Sequence, residues 1–196
     1  MKPYSQACEN NKQSILECVR EVFVEPGLVL EIGSGTGQHA EFLAARLPHL
    51  QWQPTDHPSA LDGCEERLRE AGLANILPPL ALDVAANDWP LAAADAAFSA
   101  NTAHIMGWPE VQAMFLGLAA ALPFGAPFCL YGPFNYAGNF TSDSNRVFDE
   151  QLRSRAPHMG IKDIEDLLDL GALADFMLDA DHAMPANNRL LVWRKT

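Results

Sequence analysis

The sequence predicts an α/β fold: a three-layer α/β/α sandwich around a mostly parallel seven-stranded sheet, with an antiparallel strand from a C-terminal hairpin. Three observations lead there. Short apolar runs alternate with longer segments whose apolar residues recur at helical spacing, the pattern of strands and helices taken in turn. The first strand-to-helix junction carries glycines on three alternate positions, Gly33, Gly35 and Gly37, where backbone must turn sharply or lie against a ligand. The last two apolar stretches, 176–184 and 190–193, are joined by Pro185-Ala186-Asn187-Asn188 and read as a hairpin.

The chain has 196 residues, enough for one domain (1–196) with a sizeable core. Its net charge of −12 and pI near 4.7 argue against nucleic acid as a partner, because phosphate contacts need clustered Lys and Arg. An acidic field suits solubility first, and is compatible with a cationic or neutral small ligand. Cys8, Cys18, Cys64 and Cys129 form no C-x-x-C pair, and the opening Met1-Lys2-Pro3-Tyr4-Ser5 is not a signal peptide, so reduced thiols and a cytoplasmic location are expected. The histidines make no H-x-x-x-H pair, and no metal is expected. No apolar run reaches the length of a membrane span.

In chain order, the first helix is marked by Ile15, Leu16, Val19, Val22 and Phe23 on one face. Ahead of them, Glu9, Asn10, Asn11 and Lys12 read in two ways: Asn10 or Asn11 caps the helix with Glu9 and Lys12 solvated, or the cluster folds over a ligand as a lid within 1–25. Pro26-Gly27 breaks the helix and starts a strand over 28–32. After Gly33-Ser34-Gly35-Thr36-Gly37 a helix runs from Gln38 to Pro48, with Ala40, Leu43, Ala44 and Leu47 inward. Its N-terminus faces the glycines and suits an anionic group. The dinucleotide pattern G-x-G-x-x-G would require glycine at position 38. The pattern here is E-x-G-x-G-x-G, starting at Glu31.

The second strand, 50–56, ends on Asp56, 23 positions after Gly33. That is near the spacing at which a doubly wound sheet presents a carboxylate to ribose hydroxyls, though Asp56 also fits a turn with His57-Pro58. A helix with Leu61, Cys64, Leu68 and Ala71 closes at Gly72, and a third strand over 76–84 ends on Asp83, which reads as an acceptor for an adenine amine or as a turn residue. Trp89 reads as adenine stacking or core packing. The fourth strand lies within 95–106 and acquires polar groups at its carboxyl edge, where such sheets bind ligands. Asn101 there is a candidate cofactor contact and His104 a candidate for proton handling.

A core helix carrying Val111, Met114, Phe115, Leu118 and Leu122 precedes the fifth strand, 128–131. Tyr131, Asn135 and Tyr136 flank the Gly132-Pro133 break, which forms either the floor of a substrate pocket or a rigid turn. A polar insertion over 137–160, with a helix carrying Val147, Phe148 and Leu152, lies where specificity elements are placed in such folds. A helix over 161–171, ended by Gly171, leads to the hairpin.

Taken together, E-I-G-S-G-T-G, the acid-ended second and third strands and the C-terminal hairpin resemble class I S-adenosylmethionine (SAM) dependent methyltransferases. More narrowly, A-C-E-N-N-K, Q-P-T-D, A-L-D-V, N-x-x-H-I-M, Y-G-P-F-N, T-S-x-S-N-x-x-F-D and M-P-A-N-N resemble the small methyltransferase-like 26 family along nearly the whole chain. The resemblance implies a Rossmann-like methyltransferase fold and S-adenosyl-L-methionine as cofactor. It implies that Glu31, Gly33, Ser34, Gly35 and Gly37 cradle the methionine part, that Asp56 takes the ribose and Asp83 the adenine, and that Glu9, Asn10 and Lys12 close over the site as a lid; Asn101, by its place at the strand edge, is a further cofactor-binding candidate. His104, Tyr131, Asn135 and Tyr136 are the catalytic candidates by position. The expected function is methyl transfer to a small-molecule or protein acceptor, with a non-catalytic SAM-binding sensor or subunit as the alternative. No nucleic-acid or membrane partner is expected, and a homodimer is compatible with such a domain.

Overall fold

The computed structural model describes residues 3–91 and 93–196. Helix α1 (Gln6–Val22) precedes strand β1 (Gly27–Ile32), helix α2 (Gln38–Ala44), strand β2 (Leu50–Asp56) and helix α3 (Asp62–Ala71). Strands β3 (Leu80–Ala81) and β4 (Ala96–Ala100) follow, then α4 (Trp108–Ala121) and β5 (Pro127–Gly132). Two short strands, β6 (Phe134–Asn135) and β7 (Lys162–Asp163), flank α5 (Asp143–Arg155) and pair with each other outside the main sheet. Helix α6 (Ile164–Leu173) and the hairpin of β8 (Phe176–Met184) and β9 (Asn188–Lys195) complete the chain.

The main sheet has the order β3-β2-β1-β4-β5-β9-β8. Strands β3, β2, β1, β4 and β5 are mutually parallel, and β9 runs antiparallel to both β5 and β8. The chain first winds outward from β1 to β3, then crosses to the other side of β1 at β4. That reversal opens a crevice beyond the carboxyl ends of β1 and β4.

Alternation along the strands splits the core in two. Leu30 on β1 with Phe128 and Leu130 on β5 face α4 and α6, meeting Val111, Phe115, Leu118 and Leu167. Val29 on β1 with Cys129 and Tyr131 on β5 face α1, α2 and α3, meeting Ile15, Val19, Leu43 and Cys64. Because helices cover both faces, the parallel strands are apolar almost throughout.

The elements expected from the sequence are present, with local differences that have physical causes. The α1 cap is Ser5, whose hydroxyl accepts from the Cys8 amide, so Asn10 and Asn11 fall inside the helix instead of capping it. The third strand shrinks to two residues, since Pro78 and Pro79 supply no amide hydrogen to a ladder. Gly171 lies within α6 and does not end it. A Cβ there would come within 2.6 Å of the buried Trp193 ring, so this glycine marks close helix–sheet contact. Trp89 packs over Gly117 of α4, the core-packing alternative for this indole.

Candidate functional site

The glycine loop is held from below and from the side. Gly33 and Ser34 amides both donate to the Thr55 carbonyl, at 3.0 and 2.9 Å, tying the loop to the end of β2. Gly33, Gly35 and Gly37 all have positive φ, between 56° and 75°. At Gly33 a Cβ would also lie 2.4 Å from the Thr102 methyl group. Thr102 has little room to yield, because its hydroxyl bonds Ser99 Oγ at 2.6 Å and Ser99 in turn donates to the Ile32 carbonyl. A Cβ on Gly35 would meet nothing within 4 Å, so this backbone stands open to the cavity it lines.

Glu31 is buried under the loop, where its Oε2 accepts from Ser34 Oγ at 2.8 Å and Trp52 Nε1 at 3.0 Å. Burial is the main cause that pushes its carboxyl up to about 7, with the two donors pulling the other way. Asp56 closes the loop's outer side: Oδ2 accepts from the Gly35 amide at 2.6 Å and Oδ1 from the His57 amide at 2.8 Å. Each oxygen keeps a lone pair for a further donor.

The roof is the start of α1, stapled down by Gln38. Its Oε1 accepts from the Ser5 amide at 2.6 Å and from Thr36 Oγ1 at 2.9 Å, while its Nε2 donates to Glu9 at 2.7 Å. The residue that departs from the dinucleotide pattern therefore joins the N-terminal segment to the glycine loop. Asn11 extends this roof inward by accepting from His39 Nε2 at 2.7 Å. His39 is buried, which lowers its pKa to about 4 and keeps it neutral. The Asn11 side chain also bonds the Tyr131 hydroxyl, whose pKa burial raises.

Together these elements enclose one open cavity of about 980 Å³. At the β2 side it is walled by Gly33, Gly35, Asp56 and His57, and at the β5 side by His104, Tyr131, Pro133 and Phe148. Asn101 sits between them at φ 61°, a left-handed conformation that asparagine tolerates, with its amide bonded to the Tyr131 carbonyl. His104 is 6% exposed and stands edge-on to Phe148 at 5.2 Å between ring centres. Its Nδ1 is enclosed without a hydrogen-bond partner, and burial, reinforced by the Lys162 charge, lowers its pKa to about 4.

Of the residues singled out from the sequence, Asn10, Gly33, Ser34, Gly35, Asp56, Asn101, His104 and Tyr131 line this cavity. The others stand elsewhere. Glu31 lies beneath the loop and Gly37 begins α2. Asp83 accepts from the Ala85 amide in a turn, with its other oxygen 4.0 Å from His57 Nε2. Lys12 pairs with Glu9 and rests over the Phe42 ring. Asn135 is buried on β6, paired with Asp163 of β7. Tyr136 donates to Asp181 at 2.7 Å in a cluster with Arg189, at the hairpin. His39, Thr102 and Arg155 had no motif to announce them, and Gln38 and His57 read only as a helix start and a turn. Their places depend on contacts between elements 20 or more residues apart. No three His, Cys, Asp or Glu side chains among the described residues are grouped to hold a metal, and no helix there is long and apolar enough to cross a membrane.

Solved structures show what the fold is similar to. An O-methyltransferase family 2 protein from Planctomyces limnophilus DSM 3776, in complex with apigenin, matches with a TM-score of 0.81 at 16% identity, covering 95% of this chain and 57% of its own. The S-adenosylmethionine-dependent methyltransferase SibL in its apo form matches at 0.79 and 20% identity, covering 96% and 55%. CalO1, a methyltransferase of calicheamicin biosynthesis in its SAH-bound form, matches at 0.72 and 16% identity, covering 87% and 49%. The chain spans about half the length of these proteins, and at such identities the likeness is one of fold: the Rossmann-like fold of SAM-dependent methyltransferases. The chain itself belongs to the family described as "Protein of unknown function (DUF938)", whose model matches residues 2–195. That family corresponds to the methyltransferase-like 26 proteins.

Proposed function

We propose that this protein binds S-adenosylmethionine and transfers its methyl group to a small acceptor. The observation that carries the reading is the single cavity running from the glycine loop and Asp56 to His104 and Tyr131. Its volume of about 980 Å³ lies at the top of the range of about 300–1,000 Å³ usual for a small-ligand site, and it extends past the loop to His104 and Tyr131. A SAM-binding sensor without turnover has no need for the part of the cavity beyond the loop. A nucleoside carrying an amino acid suits the donors and acceptors present: open backbone at Gly35, a carboxylate at Asp56 with free lone pairs for ribose hydroxyls, and an amide at Asn101.

S-adenosylmethionine, held by the glycine loop and Asp56, would supply a methyl group activated by its sulfonium, for an acceptor oxygen or nitrogen to take while the bonding pair returns to sulfur. The chain's own task is to hold the nucleophile in line and exclude water, which the α1 roof and Phe148 serve. When the acceptor starts as a hydroxyl, its proton must go somewhere, and His104 is the neutral group beside the chamber with no protein partner on its ring. Tyr131, fixed by Asn11, orients the ligand with its hydroxyl.

The test is transfer of labelled methyl from SAM across a panel of hydroxylated and aminated small molecules. His104→Gln is expected to lower kcat by about 10²–10⁴-fold while leaving the affinity for S-adenosylhomocysteine unchanged. Full turnover in the variant would remove His104 from the chemistry. Binding of S-adenosylhomocysteine with no acceptor methylated by the wild type would favour the sensor.

A further inference from the structure

Charge pairing leaves one cation conspicuous at this cavity. Among the described lysines and arginines, all except Arg69 and Arg155 have a carboxylate or a main-chain carbonyl as partner. Of those two, only Arg155 lines the cavity. In a chain with 25 acids and 13 bases, most of the described arginines are paired with a carboxylate, Arg155 not among them. Its position in the last turn of α5 favours a cation through the helix dipole, but Arg153 already supplies one there, bonded to Asp149 at 2.6 Å. Among the described residues the one acid lining the cavity is Asp56, on the β2 side, with both oxygens engaged by amides. Elsewhere the cavity lining includes the apolar side chains of Ile105, Met106, Pro133, Phe148 and Pro185.

The helix sets the distances. Ser144, Phe148 and Arg155 are four and seven residues apart, one face of α5, and all three line the cavity. Phe148 is the ring against His104, and Arg155 follows two turns later, roughly 10 Å along the axis. Helical side chains lean back over the preceding turn, which tilts the Arg155 side chain toward the Phe148 end of the helix. A guanidinium at a cavity lined in part by apolar side chains recognises a planar anion by paired N–H donors.

Resting on the methyltransferase reading above, we propose that the acceptor is a small carboxylic acid with a ring-sized apolar body. Arg155 holds its carboxylate, and its nucleophilic hydroxyl or amine lies at His104. The full chain, saturated with S-adenosylhomocysteine, is titrated calorimetrically with the three isomeric hydroxybenzoates and with the corresponding neutral hydroxybenzamides. At least one acid is expected to bind tenfold or more tightly than its amide. Arg155→Gln is expected to abolish that preference with no change in S-adenosylhomocysteine affinity, since Arg155 is exposed and bonds nothing in the fold. If no acid binds better than its amide, or if the preference survives in Arg155→Gln, the proposal is overturned and the cofactor reading stands. Failure of S-adenosylhomocysteine itself to bind defeats the cofactor reading, and this proposal with it.

Discussion

Gly33→Ala is expected to destabilise the protein by about 3 kcal/mol or more and, on the proposed reading, to remove S-adenosylhomocysteine binding in the fraction that folds. Two independent costs add at this position. A left-handed conformation costs an L-residue about 1–2 kcal/mol, and φ at Gly33 is +75°. Forcing a methyl group into a packed site costs about 1–3 kcal/mol more, and here the Cβ would lie 2.4 Å from Thr102 Cγ2. Thr102 is anchored through Ser99 to the end of β1, so relief must come from the loop itself, where both Gly33 and Ser34 amides are bonded to Thr55. For a domain of this size the loss corresponds to a drop in Tm of about 6–12 °C. Thermal unfolding of the variant checks this. A Tm within a degree or two of wild type would mean that the loop has slack the packing does not suggest.

Replacing Glu31 by Gln tests the ground beneath the same loop through pH. The folded carboxyl is pushed up to about 7, against an ordinary value of 4.5. Below the unfolded pKa both states hold the proton, and the burial of this group is uncharged and harmless. Between the two values the unfolded chain releases its proton while the folded protein keeps it, so stability falls as pH rises, by about 1.4 kcal/mol per unit. Above about 7 both states are ionised and the loss levels off, at a total near 3 kcal/mol by the same conversion. Glu31→Gln has no such proton to lose, and its amide oxygen can still accept from Ser34 and Trp52. The variant should therefore gain on wild type from pH 4.5 to 7 and hold its advantage beyond. Urea unfolding of both proteins at several pH values measures the difference, and a difference that does not vary with pH would contradict this account of Glu31.

Local signals revealed the skeleton of this molecule, and contacts between distant elements supplied the rest. The glycine loop announced itself because positive φ at three alternate positions demands glycine, whatever surrounds it. The hairpin of β8 and β9 was legible because apolar stretches and a short polar connection are both local. Strand periodicity also placed Asp56 and His104 at carboxyl edges, and hence at one crevice. By contrast Asn10 and Asn11 suited a helix cap by residue type alone, while the actual cap, Ser5, is set by where the chain meets Gln38, 33 positions on. Gly171 read as a helix end because its packing partner, Trp193, is invisible to a local pattern. Tyr136 and Asn135 stood close in sequence to the fifth strand's edge, yet the backbone turns after Gly132 and carries them to β7 and the hairpin. Arg155 lies in the polar stretch 137–160, where the sequence alone does not set it apart. Only the fold shows that it lacks the carboxylate its neighbours have and that it lines the cavity.

The central claim is that the glycine loop and Asp56 hold a SAM-type cofactor, and one titration addresses it most directly. S-adenosylhomocysteine is titrated calorimetrically into the wild-type protein and into Asp56→Ala. Micromolar affinity in the wild type, weakened about tenfold or more by the substitution, or about 1.4 kcal/mol, is the result this account predicts. Absence of binding to the wild type, by S-adenosylhomocysteine and SAM alike, would contradict it.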